Sequence, residues 1–168
     1  PFEDYQKKRS SMSNKGEYVS INGGDTTPPS TTNDRFPSNS ALVAEFFGTA
    51  TLVQIGCGAN CIGLYLGALV GMWQAASVWT LGAMLGIYIS ASRSGGHLNP
   101  AVTLAFALVR RDDFPMTSVL PYWGAQLAGA ISAAVLNLFL FTTAIKNFEA
   151  DLGEGEALTS ATTFGCYW

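Results

Sequence analysis

The residues best suited to chemistry lie in one short stretch, 94–103, which reads SGGHLNPAVT and holds the only histidine of the chain. The side-chain carbonyl of Asn99 can cap a helix while its NH2 group stays free to donate a hydrogen bond. The irregular backbone of 95–98 can offer carbonyl oxygens as acceptors, and a row of acceptors that ends at a donor suits hydroxyl groups. No nucleophile or second histidine accompanies His97. We therefore favour a structural role for it over a catalytic base, and we predict no enzyme.

This stretch lies in a segment that is too short to cross a membrane. Only 16 residues separate Arg93 from Arg110, whereas a spanning helix needs about 20 apolar residues. The segment is also too apolar for an ordinary loop, so we interpret 93–109 as a re-entrant loop followed by a half-helix. Pro100 is favoured at a helix start. A helix from Pro100 to Val109 extends about 15 Å, half of a ~30 Å hydrocarbon core.

The start of this half-helix is therefore expected near the middle of the bilayer. Its free N–H groups and its partial positive charge would lie at that depth. Unpaired backbone is tolerated there only against protein or a water-filled cavity. The sequence therefore predicts a cavity at the midplane, and the positive helix end would repel cations and protons from it.

Three apolar segments must position this stretch, and they indicate an all-α membrane protein. The chain is 48% hydrophobic and 12% charged, whereas soluble domains average about 25% charged residues. We predict membrane spans at about 40–67, 74–92 and 117–145. The polar residues 1–39 are predicted to be a disordered cytoplasmic tail. Residues 147–168 are expected to begin an extracytoplasmic connecting loop, truncated at Trp168.

The distribution of charge indicates the orientation and excludes several partners. Lysines and arginines cluster in the tail, at Arg93 and at 110–111, whereas the end of the chain is acidic. The positive-inside rule then places the N-terminus in the cytoplasm, in a membrane that the sequence does not identify. The sequence contains no basic patch with interleaved aromatic residues, so it does not indicate nucleic-acid binding. Nothing resembles a nucleotide or ion-coupling site, and no cofactor is predicted. The three cysteines have no metal-binding spacing with His97, and no metal site is predicted.

A few polar side chains lie inside the apolar segments. Glu45 lies in the first, where an ionisable group is costly, and we interpret it as an acceptor for loop N–H groups rather than as a proton carrier. Gln126 and Asn137 lie in the third and are interpreted as interhelical hydrogen-bonding residues rather than pore residues. Gly82 and Gly86 form a small-xxx-small pair that favours close helix contact.

The order of these features resembles the major intrinsic protein family, which contains the aquaporins and aquaglyceroporins. Residues 94–103 are similar to the family's first Asn-Pro-Ala loop, and 126–130 are similar to its third-span pattern. The first span resembles the family's opening Glu-xxx-Thr-xx-Leu pattern through Glu45, Thr49 and Leu52. The resemblance implies an aquaporin-like half repeat of three transmembrane helices plus one re-entrant half-helix. It implies a motif at Asn99, Pro100 and Ala101 and buried structural polar residues at Glu45, Thr49 and Gln126.

The resemblance also implies the solute. Trp79 lies 20 positions before Asn99, where the family places one residue of its narrowest pore ring, and a Trp there is typical of glycerol facilitators. The alternative is that Trp79 is an interfacial or packing aromatic. The function implied is a passive channel for glycerol, small polyols and water, which forms a homotetramer in the lipid bilayer. The pore residues implied are Trp79, Gly95, Gly96, His97, Leu98 and Asn99.

Two departures from the family pattern leave a second interpretation open. Gly96 stands where most members have Ala, which should loosen the loop. The family is an inverted repeat of two halves, and the second Asn-Pro-Ala loop with its neighbouring Arg is not in this sequence. One half cannot enclose a pore by itself. The alternative function is a non-conducting half-channel that acts as a membrane scaffold or as a regulatory partner.

Overall fold

The computed structural model describes residues 36–69 and 71–152. Within these two ranges the chain is helical and contains no strand, which confirms the predicted all-α membrane fold. Three long segments are apolar enough to cross a membrane: Asn39–Leu66, Met72–Ser94 and Met116–Asp151. The predicted tail up to residue 35, the chain beyond residue 152 and Cys166 lie outside the described residues. The elements in order are α1 Asn39–Leu66, α2 Met72–Ser94, α3 Pro100–Val109, a short 3₁₀ helix at Met116–Ser118, and α4 Val119–Leu152.

Helix α1 has a local signal at each end. The Ser38 hydroxyl accepts a hydrogen bond from the Ala41 N–H at 3.2 Å and so caps the first turn. At the other end Gly67 adopts a left-handed conformation with φ 65° and donates its N–H to the Ile62 carbonyl. Glycine adopts this conformation without the steric cost that a side chain brings, so the helix ends here.

Helices α1 and α2 approach each other closely along their glycines. A Cβ on Gly86 would lie 2.6 Å from the Gly48 carbonyl oxygen, and a Cβ on Gly82 would lie 3.2 Å from the Leu52 carbonyl oxygen. The expected small-xxx-small pair therefore faces α1. Because lipid tails are as apolar as the helix surfaces, such close backbone contact is a principal source of helix association in a bilayer.

Helix α4 packs against the opposite side of α1. Gly129 allows this contact, because a Cβ there would overlap the Phe46 carbonyl of α1 and would lie 3.2 Å from the Ala50 amide nitrogen. Helix α1 thus lies between α2 and α4, and it carries the polar side chains that join them.

Helix α3 is the half-helix, and it packs against α4. Asn99 is its N-cap, with Pro100 at the first helical position. Its ten residues extend about 15 Å. After Val109 the chain turns, and the amides of Asp113 and Phe114 both donate to the Arg110 carbonyl. This turn leads through the 3₁₀ helix into α4.

Helix α4 is longer than the sequence predicted. The sequence predicts the end of this span at about 145, whereas the helix continues to Leu152, so residues 147–152 are helical. The predicted span ends where the apolar pattern ends, whereas the helix can continue because no Gly or Pro follows until Gly153. The Phe148 ring packs edge-on against Tyr65 of α1 at a centroid distance of 5.5 Å and supports the extension.

We expect Gly86→Ala to destabilise the protein and Gly124→Ala not to do so. Both variants replace a helical glycine with alanine. The higher helix propensity of alanine by itself stabilises a helix by up to about 1 kcal/mol. At Gly86 the new Cβ would collide with α1, whereas at Gly124 it would meet nothing within 4 Å. Overpacking of this kind costs about 1–3 kcal/mol. The measurement is the melting temperature of the detergent-purified protein, and equal melting of the two variants would refute the close α1–α2 contact.

Candidate functional site

The loop between α2 and α3 has an unusual backbone. Gly95, Gly96 and Leu98 all have positive φ, at 90°, 67° and 50°. Glycine accepts such values, but at a residue with a side chain the left-handed conformation costs about 1–2 kcal/mol. Leu98 therefore needs the surrounding structure to hold it in place.

The Glu45 carboxylate holds this loop. The side chain is completely buried, and its Oε1 accepts hydrogen bonds from the His97 amide at 2.9 Å and the Ser94 hydroxyl at 2.6 Å. Its Oε2 accepts from the Leu98 amide at 2.8 Å and from Gln126 Nε2 at 2.7 Å. A buried carboxylate is costly unless it is hydrogen-bonded. Here four donors satisfy it, and two of them are loop amides that no helix ladder can pair.

Helix α4 supports the loop from the other side. Gln126 Nε2 also donates to the Thr103 hydroxyl of α3 at 2.9 Å. The Tyr122 hydroxyl donates to the Ser94 carbonyl at 3.0 Å, and the Trp123 indole donates to the Pro100 carbonyl at 3.0 Å. The end of α2 and the start of α3 are therefore both fastened to α4.

Two loop side chains are buried and do not reach open space. The His97 imidazole lies among the rings of Phe106, Phe114 and Tyr122, with centroid distances of 4.5, 4.9 and 5.2 Å. Its buried Nδ1 has no hydrogen-bond partner among the residues the structure describes. The Leu98 side chain is inserted where α1 and α2 meet, so that a Cβ on Gly86 would lie 2.9 Å from its Cδ1. The His97 and Leu98 side chains are therefore almost wholly enclosed by the protein.

Asn99 is exposed at the N-terminus of α3, beside the exposed Gly95 and the half-exposed Gly96. Its Oδ1 accepts a hydrogen bond from the Ala101 amide at 2.8 Å. This bond uses the carbonyl half of the carboxamide as a helix cap. The Nδ2 half has no partner among residues 36–69 and 71–152, so it is a donor held in place by the cap and presented to the exposed side.

Trp79 lies apart from this loop. It lies fifteen positions before Ser94 along α2, a distance of about 22 Å. It is half-buried, and its indole Nε1 donates to the Asn60 Oδ1 of α1 at 3.2 Å. Trp79 therefore packs against α1, as the alternative interpretation of a packing aromatic predicts, and part of its ring remains exposed.

The remaining polar residues and the cysteines of the predicted spans are buried between the helices. Asn137 is buried and accepts a hydrogen bond from Gln54 Nε2 at 2.8 Å, and its own Nδ2 donates to the Gln54 carbonyl at 3.2 Å. Thr49 is buried, and its hydroxyl has no hydrogen-bond partner in the described part of the chain. Cys57 and Cys61 are buried in the helical bundle.

Several residues of the site were not predicted from the sequence. Ser94, Thr103 and Tyr122 all join the network around Glu45. Tyr122 lies four positions before Gln126, and residues at this spacing share a helix face. That spacing was a usable signal for Tyr122. Asn60, the partner of Trp79, had no comparable signal, because it lies in a different helix from the residue that it contacts.

The fold and this loop together define an integral, multi-pass membrane protein with a re-entrant half-helix. The chain belongs to the major intrinsic protein family, whose sequence profile matches residues 33–165.

Individual relatives narrow the comparison. The chain is 40% identical over 128 residues to the propanediol uptake facilitator PduF of Salmonella typhimurium (strain LT2), across 74% of this chain and 48% of that protein. It is 37% identical over 129 residues to the glycerol uptake facilitator protein of Escherichia coli (strain K12), across 74% of this chain and 45% of that protein. It is 36% identical over 129 residues to the glycerol uptake facilitator protein of Pseudomonas aeruginosa, across 74% of this chain and 46% of that protein. The chain thus spans about half the length of the curated relatives it matches.

We expect Glu45→Gln to loosen the loop and lower the stability of the protein. The glutamine amide keeps one acceptor oxygen but turns an NH2 group towards donors such as the Leu98 amide and Gln126 Nε2. Each buried donor left unpaired costs about 1–3 kcal/mol. The melting temperature in detergent measures this loss.

Asp112→Asn is the matched control, because it removes the same charge from an exposed turn residue. It should leave the melting temperature unchanged. Equal melting of the two variants would show that Glu45 does not hold the loop.

Proposed function

We propose that the protein forms part of a passive membrane channel for glycerol and related small polyols, and for water. The observation that carries this proposal is the Asn99 carboxamide, an exposed donor fixed at the N-terminus of the half-helix α3. Relatives named as uptake facilitators of glycerol and of propanediol support the choice of a small polyol as the solute.

The backbone of the loop supplies the acceptors in this proposal. The N–H groups of His97 and Leu98 point at Glu45. In a trans peptide the carbonyl points away from the N–H of the same unit, and the described residues contain no cis peptide bond. The carbonyls of Gly96 and His97 are therefore directed away from Glu45. A polyol or water hydroxyl donates to these carbonyls and accepts from Asn99 Nδ2.

The same half-helix disfavours ions. The N-terminus of α3 carries a partial positive charge, which repels cations and protons where its field is least screened. A neutral hydroxyl gains two hydrogen bonds and has no charge to desolvate. Movement would follow the solute gradient, without an enzymatic step.

Trp79 supplies the apolar contact in this proposal. Its exposed ring surface lies about 22 Å along α2 from the loop, so a solute would meet it at a separate level. A polyol has a carbon backbone that packs on an aromatic face, and water has none. Trp79 would therefore favour polyols over water.

The setting of the channel belongs to the same proposal. The lysines and arginines before α1 and the arginines at the ends of α2 and α3 favour a cytoplasmic N-terminus under the positive-inside rule. A homotetramer in the lipid bilayer is the expected assembly of the complete protein.

The test is glycerol uptake by lipid vesicles that contain the complete protein. We expect flux above that of empty vesicles, and we expect Asn99→Asp to reduce it by about tenfold or more, the effect of losing one hydrogen bond in the pore and adding a charge. The aspartate keeps an oxygen for the helix cap, so the variant should still fold. Flux no higher than in empty vesicles would contradict the proposal and favour the non-conducting alternative.

Asn147→Asp is the control for this change, because Asn147 is exposed near the end of α4. It makes the same chemical substitution far from the loop, and its glycerol flux should equal that of the unmodified protein. If both variants lose flux equally, the loss comes from added charge and not from the Asn99 donor.

We expect Trp79→Phe to reduce glycerol flux more than water flux. The smaller ring removes apolar surface that contacts a carbon backbone, whereas water loses no comparable contact. Stopped-flow measurements on the same vesicles with glycerol and with an impermeant osmolyte give both rates. Equal loss of the two rates would place Trp79 outside the solute path.

A further inference from the structure

The Trp79 indole is attached to α1 at two points. Its Nε1 donates to the Asn60 Oδ1 at 3.2 Å. Its six-membered ring lies against Gly56, where an added Cβ would be 2.5 Å from the Cδ2 and Cζ3 atoms. Gly56 and Asn60 are four residues apart, so they lie on one face of α1, one turn from each other. The indole therefore lies along α1 with its benzene part on the glycine and its N–H on the asparagine.

Two attachment points restrict the ring more than either one does. Contact with Gly56 brings the indole close to the α1 backbone but does not by itself fix the direction of its N–H. The hydrogen bond to Asn60 fixes that direction. Asn60 is half-buried in an apolar span, and the indole N–H gives its carbonyl oxygen a hydrogen-bond partner.

The arrangement also decides what chemistry Trp79 can offer to a solute. An indole has one donor, its N–H, and an apolar ring. Because Asn60 accepts that donor, the part of the ring left exposed presents only carbon. Without this acceptor the N–H would be free to bind a water or hydroxyl oxygen and would make the surface less selective for carbon.

We infer that Asn60, together with the gap at Gly56, orients the Trp79 indole and so is a specificity-determining positioning residue for polyols over water. This inference rests on the proposed function, since it assigns a further residue to the same solute path. In this inference Asn60 acts through the Trp79 ring that it contacts.

The test is the ratio of glycerol to water permeability in vesicles containing the complete protein with Asn60→Leu. Leucine has a similar size and suits an apolar helix, but it cannot accept the indole N–H. We expect the ratio to fall by about threefold or more, as the loss of one neutral hydrogen bond allows. Asn60→Ala removes the same acceptor without the bulk and should change the ratio in the same direction.

Thr51→Val is the matched control. It also removes a polar group from α1, but the Thr51 hydroxyl bonds within its own helix, to the Phe47 carbonyl at 2.8 Å. Its permeability ratio should equal that of the unmodified protein.

A double-mutant comparison separates positioning from a general structural effect. In the Trp79→Phe background no indole N–H exists, so Asn60→Leu should cause no further change in the ratio. Additive changes would overturn the inference. The indole 15N–1H signal of Trp79, assigned by its absence in Trp79→Phe, should also shift in Asn60→Leu and stay in place in Thr51→Val.

The outcomes distinguish this inference from the proposed function. If the unmodified protein conducts glycerol but both Asn60 variants keep its ratio, the positioning role is wrong and the channel proposal stands. If the unmodified protein conducts no glycerol, the channel proposal fails and the specificity role of Asn60 fails with it.

Discussion

The Glu45 carboxylate accepts four hydrogen bonds in the buried interior, from the loop amides of His97 and Leu98, from Ser94 and from Gln126. Without it, two amides that belong to no helix would be buried unpaired, and Leu98 would lose the hydrogen bond that helps to hold its left-handed backbone. The same bonds direct the opposite carbonyls away from α1. One charge thus fixes the loop and decides which backbone groups face the exposed side.

Close helix contact is the condition that lets such short side chains reach across the bundle. Helix α1 approaches α2 at Gly48 and Gly86 and approaches α4 at Gly129, where no side chain separates the backbones. In a bilayer the hydrophobic effect does not drive helices together, and close backbone packing of this kind contributes to their association instead. Polar side chains of different helices, such as Gln54 and Asn137, can then hydrogen-bond directly to each other.

The polar groups and the apolar ring that we propose to contact the solute lie at two separate levels along the helices. Near the start of α3, the Asn99 donor and the loop backbone provide polar groups whose positions are fixed by a helix cap and by Glu45. About 22 Å away along α2, Trp79 provides an apolar ring whose donor is already bound by Asn60. This separation suits a neutral solute with both hydroxyls and carbon, and it supports the proposal that the solute is a small polyol.

Local signals in the sequence determined the half-helix, because a cap at Asn99, a proline at Pro100 and charged ends too close together to span a membrane act within one short segment. They also determined that Glu45 had to be paired, since an unpaired carboxylate is too costly in an apolar span. They did not determine its donors, the partner of Trp79 or the end of α4. Those depend on which helices meet and at what depth, and hydropathy reports where lipid ends but not where a helix ends. Only the tertiary structure brings Asn60 to Trp79 and Tyr122 to Ser94, because each pair joins residues of different helices.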